Sequence, residues 1–450
     1  MSSDHGGGGL PGLQFVHNLI HSSHESGGYH LTYKPLVIAF AAFLFAFFLW
    51  APYQTIQNFK LVGFLAPVWM PLILVPFAIY RFVEARRAEY ISRLDFVLLE
   101  LRLPRETEKT PLAMELIFSN MHLSSGETNW FKKYWNGAVR PWYSLELVSL
   151  GGQVHFYVWT RRILRRSLEG YFYAQYPNME IIEAEDYSRL FDPTSHDNDM
   201  FGAEFVCKQP DPVPIKTYVD YGLDKAGTKP EHQIDPLAQL LEFLSGVGPK
   251  EQFWIQFIIQ FTRDKWQEEA KELINEIRES TIKKGTYTDP ATGRTVETQG
   301  FPNPTKGDID RIAALERNVA KQGFDVGIRA IYTAPREAYQ GIMITHMLAM
   351  FKPFNSETNN SIGATSLFSA KFGDYPWEDP HGHHRHHEAV AITEVYRRRS
   401  FFHSPYRGPK MVLSTEELAT LFHIPSSSVA TPGLNRIQSA TKGAPVNLPV

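Results

Sequence analysis

The chain has 450 residues, and its 45 Lys and Arg against 48 Asp and Glu give a formal net charge of −3. This balance provides no overall electrostatic drive towards nucleic acid, because phosphate binding depends on clustered Lys and Arg. Cys207 is the single cysteine, which excludes an intrachain disulfide, a thiolate zinc site and an iron–sulfur cluster held by one chain. A reducing, cytoplasmic setting fits this cysteine count.

Two long apolar stretches lie near the N-terminus. Residues 1–34, rich in Gly, Ser and His, are predicted to be a disordered tail. Residues 36–53 and 61–80 are each about as long as an α-helix that crosses a hydrocarbon core, and Lys60 is the only charged residue in residues 35–80. The sequence therefore predicts a transmembrane hairpin over residues 35–80, followed by a charged juxtamembrane helix over residues 81–93.

The distribution of positive charge predicts an orientation. The exit of the second apolar stretch is crowded with four arginines: Arg81, Arg86, Arg87 and Arg93. The loop that joins the two stretches carries a single lysine, so the positive-inside rule places both terminal regions on the cytoplasmic face of a multi-pass membrane protein. Pro67, Pro71 and Pro76 each lack a backbone donor, which predicts a kinked or re-entrant second helix.

The segment after the apolar zone has a β-α-β-β-α-β pattern. Gly151 and Gly152 separate two alternating stretches and are the strongest hairpin signal in the chain. Strands are predicted at residues 94–103, 142–150, 153–160 and 179–187, and helices at residues 111–122 and 161–176. This order is that of a split βαβ unit, so we predict a first ferredoxin-like domain at residues 94–198.

Residues 199–352 repeat this pattern in a weaker form, which predicts a second, degenerate ferredoxin-like domain. Strands are predicted at residues 201–208, 213–219, 252–261 and 325–332, helices at residues 235–244, 264–282, 305–322 and 335–351, and a polar loop at residues 284–304. In both segments an aromatic-rich strand leads directly into a charged amphipathic helix, which indicates a duplication. The predicted fold class is therefore α+β, with a transmembrane helical hairpin followed by two ferredoxin-like cytoplasmic units.

The C-terminal part is predicted to be poorer in regular structure. Residues 353–410 are predicted to be a His-rich linker region. Residues 411–450 are predicted to contain a short helix at 414–421 and an extended docking tail.

The sequence contains no recognisable catalytic constellation. The nearest approach to a nucleotide-binding P-loop runs from Gly222 to Lys229, but its Thr and Lys are in the wrong order. Cys207 lies in a strand-like run, where packing explains it better than nucleophilic chemistry. We therefore predict no catalytic residue, no cofactor and no enzyme activity.

A run of histidines is the one candidate metal site. It contains five imidazoles within seven residues: His381, His383, His384, His386 and His387. Imidazole nitrogens bind zinc, copper and nickel, but a native site needs fixed geometry, and this run falls in a predicted linker. Flexible, adventitious affinity for metal is the favoured interpretation.

Four arginines form the strongest basic cluster: Arg161, Arg162, Arg165 and Arg166. Their spacing places them on one face of the predicted helix. Such a face can contact acidic lipid headgroups, a nucleic-acid backbone or an acidic partner. The alternative is an ordinary solvated helix face.

Four runs of residues resemble a known family: residues 109–115 (KTPLAME), 138–149 (AVRPWYSLELVS), 173–177 (YAQYP) and 413–423 (LSTEELATLFH). They are similar to a bacterial membrane-protein family that looks like the N-terminal, non-ATPase portion of type IV secretion and conjugation coupling-type ATPases. The resemblance covers residues 30–450. It implies a P-loop ATPase on a separate chain, a homo-oligomer, and a place in the bacterial inner (plasma) membrane.

Two main hypotheses follow. The first is a membrane-anchored, non-catalytic assembly or adaptor subunit that recruits or positions a coupling-type P-loop ATPase in a type IV secretion-like system for DNA or protein transfer. Its partners would be the lipid bilayer and the ATPase, with nucleic acid contacted indirectly. The alternative is a membrane-tethered nucleic-acid-binding module that uses the basic helix face, whose binding would weaken steeply with salt. A His-dependent metalloenzyme is the third hypothesis and the weakest.

Overall fold

The computed structural model describes residues 49–105, 107–195, 197–224, 234–288, 295–368, 383–427, 429 and 431–437. The chain divides into two compact units. The first comprises Met1–Tyr90 and Asn129–Gly137, and the second comprises Ile91–Thr128 and Ala138–Val450.

Among the described residues of the first unit, two long helices follow one another. Helix α1, Pro52–Phe64, is followed after one residue by helix α2, Ala66–Ser92. α2 has 27 residues and continues through Pro71 and Pro76, so the predicted re-entrant turn is not formed there. At about 1.5 Å per residue, α2 is roughly 40 Å long.

The predicted multi-pass topology is wrong. Within the described part of the chain, α2 is the one helix that is long and apolar enough to cross a membrane, and one such helix does not make a multi-pass protein. A turn at Leu65 divides the stretch predicted at residues 61–80 between α1 and α2, and α1 also contains the polar Gln54, Gln57 and Lys60. Most of the other predicted stretch, residues 36–48, lies outside the described residues. The predicted cytoplasmic orientation of both terminal regions depends on the multi-pass topology and is therefore not supported either.

The second unit is an α+β domain built on one large sheet. Its described strands are β1 Phe96–Arg102, β2 Trp142–Leu150, β3 Gln153–Arg161, β4 Glu180–Glu183, β5 Asn198–Cys207, β6 Gln252–Phe261, β7 Ile282–Thr288, β8 Thr295–Pro302, β9 Gly323–Pro335, β10 Ile362–Phe368 and β11 Met411–Ser414. Nine of these form a sheet in the order β10-β5-β9-β6-β2-β3-β1-β4, with β11 added to β9, and its strand pairs are antiparallel. β7 and β8 form a separate hairpin.

One face of the sheet is covered by helices. The described helices of this unit are α3 Leu112–Met121, α4 Arg165–Gln175, α5 Pro236–Ser245, α6 Trp266–Ser280, α7 Lys306–Val319, α8 Ile342–Ala349, α9 His383–Arg397 and α10 Thr415–Leu421. Residues of α3, α4, α5, α8 and α10 share one apolar core with the strands. In β6, Phe253, Ile255 and Phe257 belong to that core, whereas the alternate residues Trp254 and Gln256 do not, as the two-residue period of a strand requires. The alternate residues of the strands therefore form a second face of the sheet, which lies outside this apolar core and includes polar side chains such as that of Gln256.

The predicted hairpin at Gly151 and Gly152 is confirmed. β2 and β3 pair up to Leu150 and Gln153, and the two glycines have φ angles of 60° and 86°. A Cβ on Gly151 would lie 2.8 Å from the carbonyl oxygen of Pro249. Two-residue hairpin turns need positive φ, which glycine adopts without steric cost.

Two predicted elements of the second segment are wrong. Residues 213–219 form no strand, and Val213 instead packs in a small cluster with Ile274 of α6 and Leu315 of α7. Residues 284–304, predicted to be a polar loop, contribute to the β7–β8 hairpin. These two strands are rich in Thr, Gly and Lys, which hides the apolar alternation on which a strand prediction depends.

The chain returns to the core near its C-terminus. β11 pairs with β9, and every residue of α10 is buried. Ser414 caps α10, because its hydroxyl accepts from the backbone N–H of Glu417 while the Glu417 carboxylate accepts from the N–H of Ser414. This reciprocal pair is a capping box, and it confirms the helix predicted at 414–421. The end of the predicted docking tail, residues 438–450, lies outside the described residues.

Glu417 is expected to make the stability of the domain pH-dependent. Its fully buried carboxylate also accepts from the N–H of Ile215 at 3.0 Å, and burial raises its pKa to about 7. The pKa of Glu417 is thus higher in the folded state than in the unfolded state, so protonation of Glu417 stabilises the fold. This stabilisation is full below about pH 4 and is lost as pH rises through about 7. We expect the free energy of unfolding to be lower near pH 8 than near pH 5, by up to about 3 kcal/mol.

The Glu417→Gln variant isolates this effect, because glutamine is accepted at this position of a capping box. Chemical denaturation should show a smaller difference between the two pH values for the variant than for the wild type. Glu268→Gln, at an exposed position of α6, is the matched control and should keep the wild-type difference. An unchanged pH dependence in Glu417→Gln would contradict the assignment.

Candidate functional site

The four arginines of the predicted helix face do not all lie on a helix. Arg161 is the buried last residue of β3, and its guanidinium donates to the carbonyl oxygens of residues 139 and 140, each at 3.1 Å. The helical placement is wrong for Arg161, because β3 continues through it before a 3₁₀ turn, Arg162–Leu164. α4 begins only at Arg165, which is followed by the exposed Arg166.

Arg162 and Arg165 are balanced by carboxylates of the same unit. Arg162 donates to Asp95 at 2.7 Å and to Glu183 at 2.8 and 3.1 Å. Arg165 donates to Glu169 and Glu183, each at 2.7 Å. Two of the predicted contact arginines therefore meet three carboxylates, which leaves less net positive charge for a phosphate backbone than the sequence spacing indicates. The phosphate or partner contact of this cluster stays a prediction.

The structure describes most of the histidine run. His381 lies outside the described residues, and His383 and His384 begin α9. Further along α9, His386 is half-buried and His387 is exposed. In the described ranges, no group of three or more His, Cys, Asp or Glu side chains is placed to hold a metal ion.

A row of polar side chains crosses the second face of the sheet. In cross-strand register it runs Glu204 on β5, Arg329 on β9, Gln256 on β6, Glu146 on β2, Tyr157 on β3 and Glu100 on β1. The first four of these side chains are at most 1% exposed. Burying charged groups is costly unless they are paired and hydrogen-bonded, so their partners decide whether this row is a reactive site or a structural one.

Glu146 is the centre of a buried hydrogen-bond network. It accepts from the side chains of Ser144, Gln256 and Tyr187 at 2.7, 2.8 and 2.8 Å. Arg399 donates to both of its carboxylate oxygens, at 2.9 and 3.1 Å, and also pairs with Asp186. Burial alone would lower the pKa of Arg399, but the charges of Glu146 and Asp186 hold that pKa well above its ordinary value. With five donations, Glu146 has no capacity left for general acid or base chemistry.

The network attaches the residues that follow α9 to the second face of the sheet. Arg399 has a φ of 48°, which is uncommon for a residue other than glycine. Two residues later, the buried ring of Phe401 lies against Gly327 of β9, where a Cβ would come within 2.2 Å of the ring. Sequence reasoning missed this network because Glu146, Asp186 and Arg399 are far apart in the chain. The one signal in the sequence was Glu146, the single charged residue of β2.

A small cleft lies beside β1 and β3. Its volume is about 240 Å³, and its lining includes Glu100, His155 and Asn435. Nδ1 of His155 lies 2.8 Å from a carboxylate oxygen of Glu100, and this hydrogen bond lowers the pKa of Glu100. A His–carboxylate pair can move a proton, but the cleft is smaller than the roughly 300–1,000 Å³ typical of ligand sites. The cleft is therefore a weaker candidate for the functional site than the exposed apolar surface of α2.

The apolar surface of α2 is exposed on every side. Leu72, Ile73, Leu74 and Val75 follow one another around the helix, and their exposed fractions are 71%, 59%, 52% and 54%. Successive helical residues are turned by about 100°, so these four point in different directions. Of the most apolar stretch of α2, 6% is buried. A helix that is apolar all round is stable inside a large core or a membrane, and not in water.

An aromatic loop, Asn129–Gly137, belongs to the same compact unit as α2. Four of its side chains, those of Trp130, Phe131, Tyr134 and Trp135, are exposed by 72%, 46%, 39% and 54%. The loop is attached to α2 by the Arg86 guanidinium, whose Nε donates to the carbonyl oxygen of Trp135 at 2.9 Å. The rings of Phe82 and Trp135 pack with their centroids 5.6 Å apart. At Gly137 the φ is 67°, and a Cβ would lie 2.3 Å from the Arg86 carbonyl, so the loop and the helix approach too closely for a side chain.

Comparison with known proteins identifies the family of the α+β unit. No curated protein matches the chain. The family described as "Domain of unknown function (DUF8128)" matches residues 91–436, which is more than half of the chain. These residues begin at the C-terminal end of α2 and extend through α10 to the last described residues. The chain therefore belongs to the DUF8128 family.

Proposed function

We propose that the protein is a membrane-anchored, non-catalytic assembly or adaptor protein. In this proposal α2 holds the chain at the bilayer, and the α+β unit offers surfaces to a coupling-type P-loop ATPase on a separate chain. One observation supports the proposed anchor: apolar side chains are exposed on all sides of α2. The class of the partner is supported by the resemblance of the four sequence runs.

The length of α2 supports the anchoring role. The uncharged run of residues 61–80 includes the first fifteen residues of α2, which rise by about 22 Å and so cover most of the roughly 30 Å of a typical hydrocarbon core. Lys60 and Arg81 bracket this run, and cationic side chains at such positions reach the headgroups. A single anchor of this kind requires no second spanning helix.

We further propose that the large sheet consists of two ferredoxin-like units. The strand order supports this, because β2, β3, β1 and β4 are neighbours in the arrangement of a βαββαβ unit, with α3 and α4 as its two helices. In the other half β6, β9, β5 and β10 repeat that order, with α5 and α8 in the equivalent places. The β2–β6 pair joins the halves, and α6, β7, β8 and α7 are inserted where the first half has its two-residue turn. A duplicated unit of this kind presents two related surfaces to a partner.

Affinity purification tests the adaptor role. The full-length protein is solubilised from its native membranes in mild detergent and purified in moderate salt, and the bound proteins are identified by mass spectrometry. We expect a P-loop ATPase among the most enriched partners, and an unrelated membrane protein prepared in the same way is the control. Repeated purification without any enriched P-loop ATPase would contradict the adaptor role while leaving the anchor intact.

A further inference from the structure

The aromatic loop combines four exposed aromatic side chains with positive charge. Its sequence, NWFKKYWNG, contains Lys132 and Lys133 and no acidic residue. Lys132 is exposed, and its backbone N–H donates to the side chain of Asn129 at 2.8 Å, which helps to hold the loop in its single-turn π-helix, Phe131–Trp135. Trp and Tyr rings with an apolar body and a polar edge are enriched where a membrane meets water.

The attachment point sets the height of the loop along α2. The uncharged run ends at Tyr80, and Arg86 lies six residues further on, which corresponds to about 9 Å along a helix axis. Phe82, which packs on Trp135, lies only about 3 Å beyond Tyr80. The headgroup region on each side of the hydrocarbon core is roughly 5–8 Å thick. An anchored α2 would therefore carry the aromatic loop at the level of the lipid headgroups.

The local charge matches an acidic lipid surface. Between Arg81 and Glu89, α2 carries three arginines and two glutamates. The two glutamates pair with Arg86 and Arg87. Together with the two loop lysines, the three arginines outnumber these glutamates, so the net charge of this end of the unit is positive. Each basic side chain near an anionic leaflet favours association.

From this geometry we infer that the aromatic loop is a second contact with the membrane, which inserts its rings among the headgroups of anionic phospholipids. This inference rests on the proposed anchor, because the loop reaches the headgroups only if α2 lies in the bilayer. The loop would fix the depth and tilt of α2 and select membranes rich in acidic lipid. The alternative is that a protein partner binds the same rings, and the experiment below distinguishes the two.

The test uses depth-dependent quenching in vesicles. Cys207 is replaced by alanine, and single cysteines are placed at Leu72, Tyr134 and Leu190 of the full chain and labelled with an environment-sensitive fluorophore. Leu190, 73% exposed in the second unit, reports the aqueous baseline. The labelled proteins are reconstituted in vesicles of phosphatidylcholine, with or without an equal part of phosphatidylglycerol. Nitroxide lipids that quench either at the headgroup or near the chain end report the depth.

We expect the Tyr134 probe to be quenched by the headgroup nitroxide and more strongly in the anionic vesicles, while the Leu72 probe is quenched by the chain-end nitroxide. Lys132→Glu changes two charges and should weaken the docking of the loop on anionic vesicles by roughly thirtyfold, whereas Lys132→Arg should leave it unchanged.

Three outcomes would overturn the inference. If the Leu72 probe is quenched and the Tyr134 probe remains at the Leu190 baseline, the anchor stands and the lipid contact of the loop is wrong. A Tyr134 probe that responds only when the purified ATPase partner is added would assign the rings to a protein instead. If neither the Leu72 probe nor the Tyr134 probe is quenched, the proposed anchor is wrong, and the proposed lipid contact of the loop is wrong with it.

Discussion

Replacing Leu72 with lysine is expected to transfer the protein from the membrane fraction to the soluble or aggregated fraction. Leu72 lies near the middle of the uncharged run and is 71% exposed. On insertion scales a central leucine contributes about −0.3 to −0.6 kcal/mol and a central lysine about +2.5 to +3.5 kcal/mol, so the exchange costs roughly 3–4 kcal/mol. The ratio of membrane-bound to soluble protein should fall by about 10²–10³-fold. Membrane fractionation followed by quantitative blotting measures this ratio.

Leu190→Lys is the matched control for this prediction. Leu190 is 73% exposed, closely similar to Leu72, but it belongs to a 3₁₀ turn of the α+β unit, Tyr187–Leu190. The same change in charge and side chain is therefore made on a surface outside the proposed anchor. We expect Leu190→Lys to remain in the membrane fraction. Equal distributions of the two variants would show that α2 is not the anchor.

Replacing Arg399 with methionine is expected to destabilise the α+β unit by about 3–5 kcal/mol, because it leaves an uncompensated charge in the interior. Arg399 is 1% exposed, and its main partner, Glu146, is 0% exposed. The three remaining donors to Glu146 are neutral side chains and do not replace the guanidinium. The midpoint of chemical denaturation, followed by the fluorescence of the nearby tryptophans in the detergent-solubilised full chain, measures the loss.

Arg398→Met separates the buried pair from an ordinary surface ion pair. Arg398 is its direct neighbour, its side chain is 62% exposed, and it lies 3.5 Å from Glu394. Exposed pairs of this kind contribute about 0–1 kcal/mol. The double variant Glu146→Gln, Arg399→Met should be less destabilised than the sum of the two single changes, since neither charge is then left alone. Additive losses, or equal losses for Arg398→Met and Arg399→Met, would contradict the buried pair.

Individual helices and turns could be predicted from the sequence more reliably than the way in which they pack together. The hairpin at Gly151 and Gly152 and the helix at 414–421 have signals that lie within a few residues, namely a positive-φ turn and a capping box. The β7–β8 hairpin lacks such a signal, and its polar composition favoured a loop. The strand order of the sheet depends on pairings between residues more than a hundred positions apart, such as Glu146 with Gln256, and alternation within one strand carries no information about them.

The candidate site was predicted in part. The uncharged run of residues 61–80 pointed to an exposed apolar helix. However, residues 52–60 of the predicted joining loop form most of α1, and the turn at Leu65 divides the run between α1 and α2. The aromatic loop was missed, since its residues stand about 50 positions beyond the helix they contact and lie between two predicted domain elements. The net positive charge of the basic cluster is smaller than its spacing in the sequence indicates, whereas its contact with phosphate or a partner stays a prediction. The carboxylates of Asp95 and Glu183, which balance the cluster, come from other parts of the fold.

Thiol accessibility in native membranes tests the membrane anchor most directly. Leu72→Cys and Leu190→Cys are each introduced with Cys207→Ala. Intact bilayers, opened into sheets so that both faces meet solvent, are treated with a membrane-impermeant maleimide. A thiol must ionise in water to react, so a cysteine inside the bilayer is protected. We expect Leu72→Cys to react only after the bilayer is dissolved in denaturant, while Leu190→Cys reacts at once. Equal and rapid labelling of both cysteines in intact membranes would contradict the proposal that α2 anchors this protein in a bilayer.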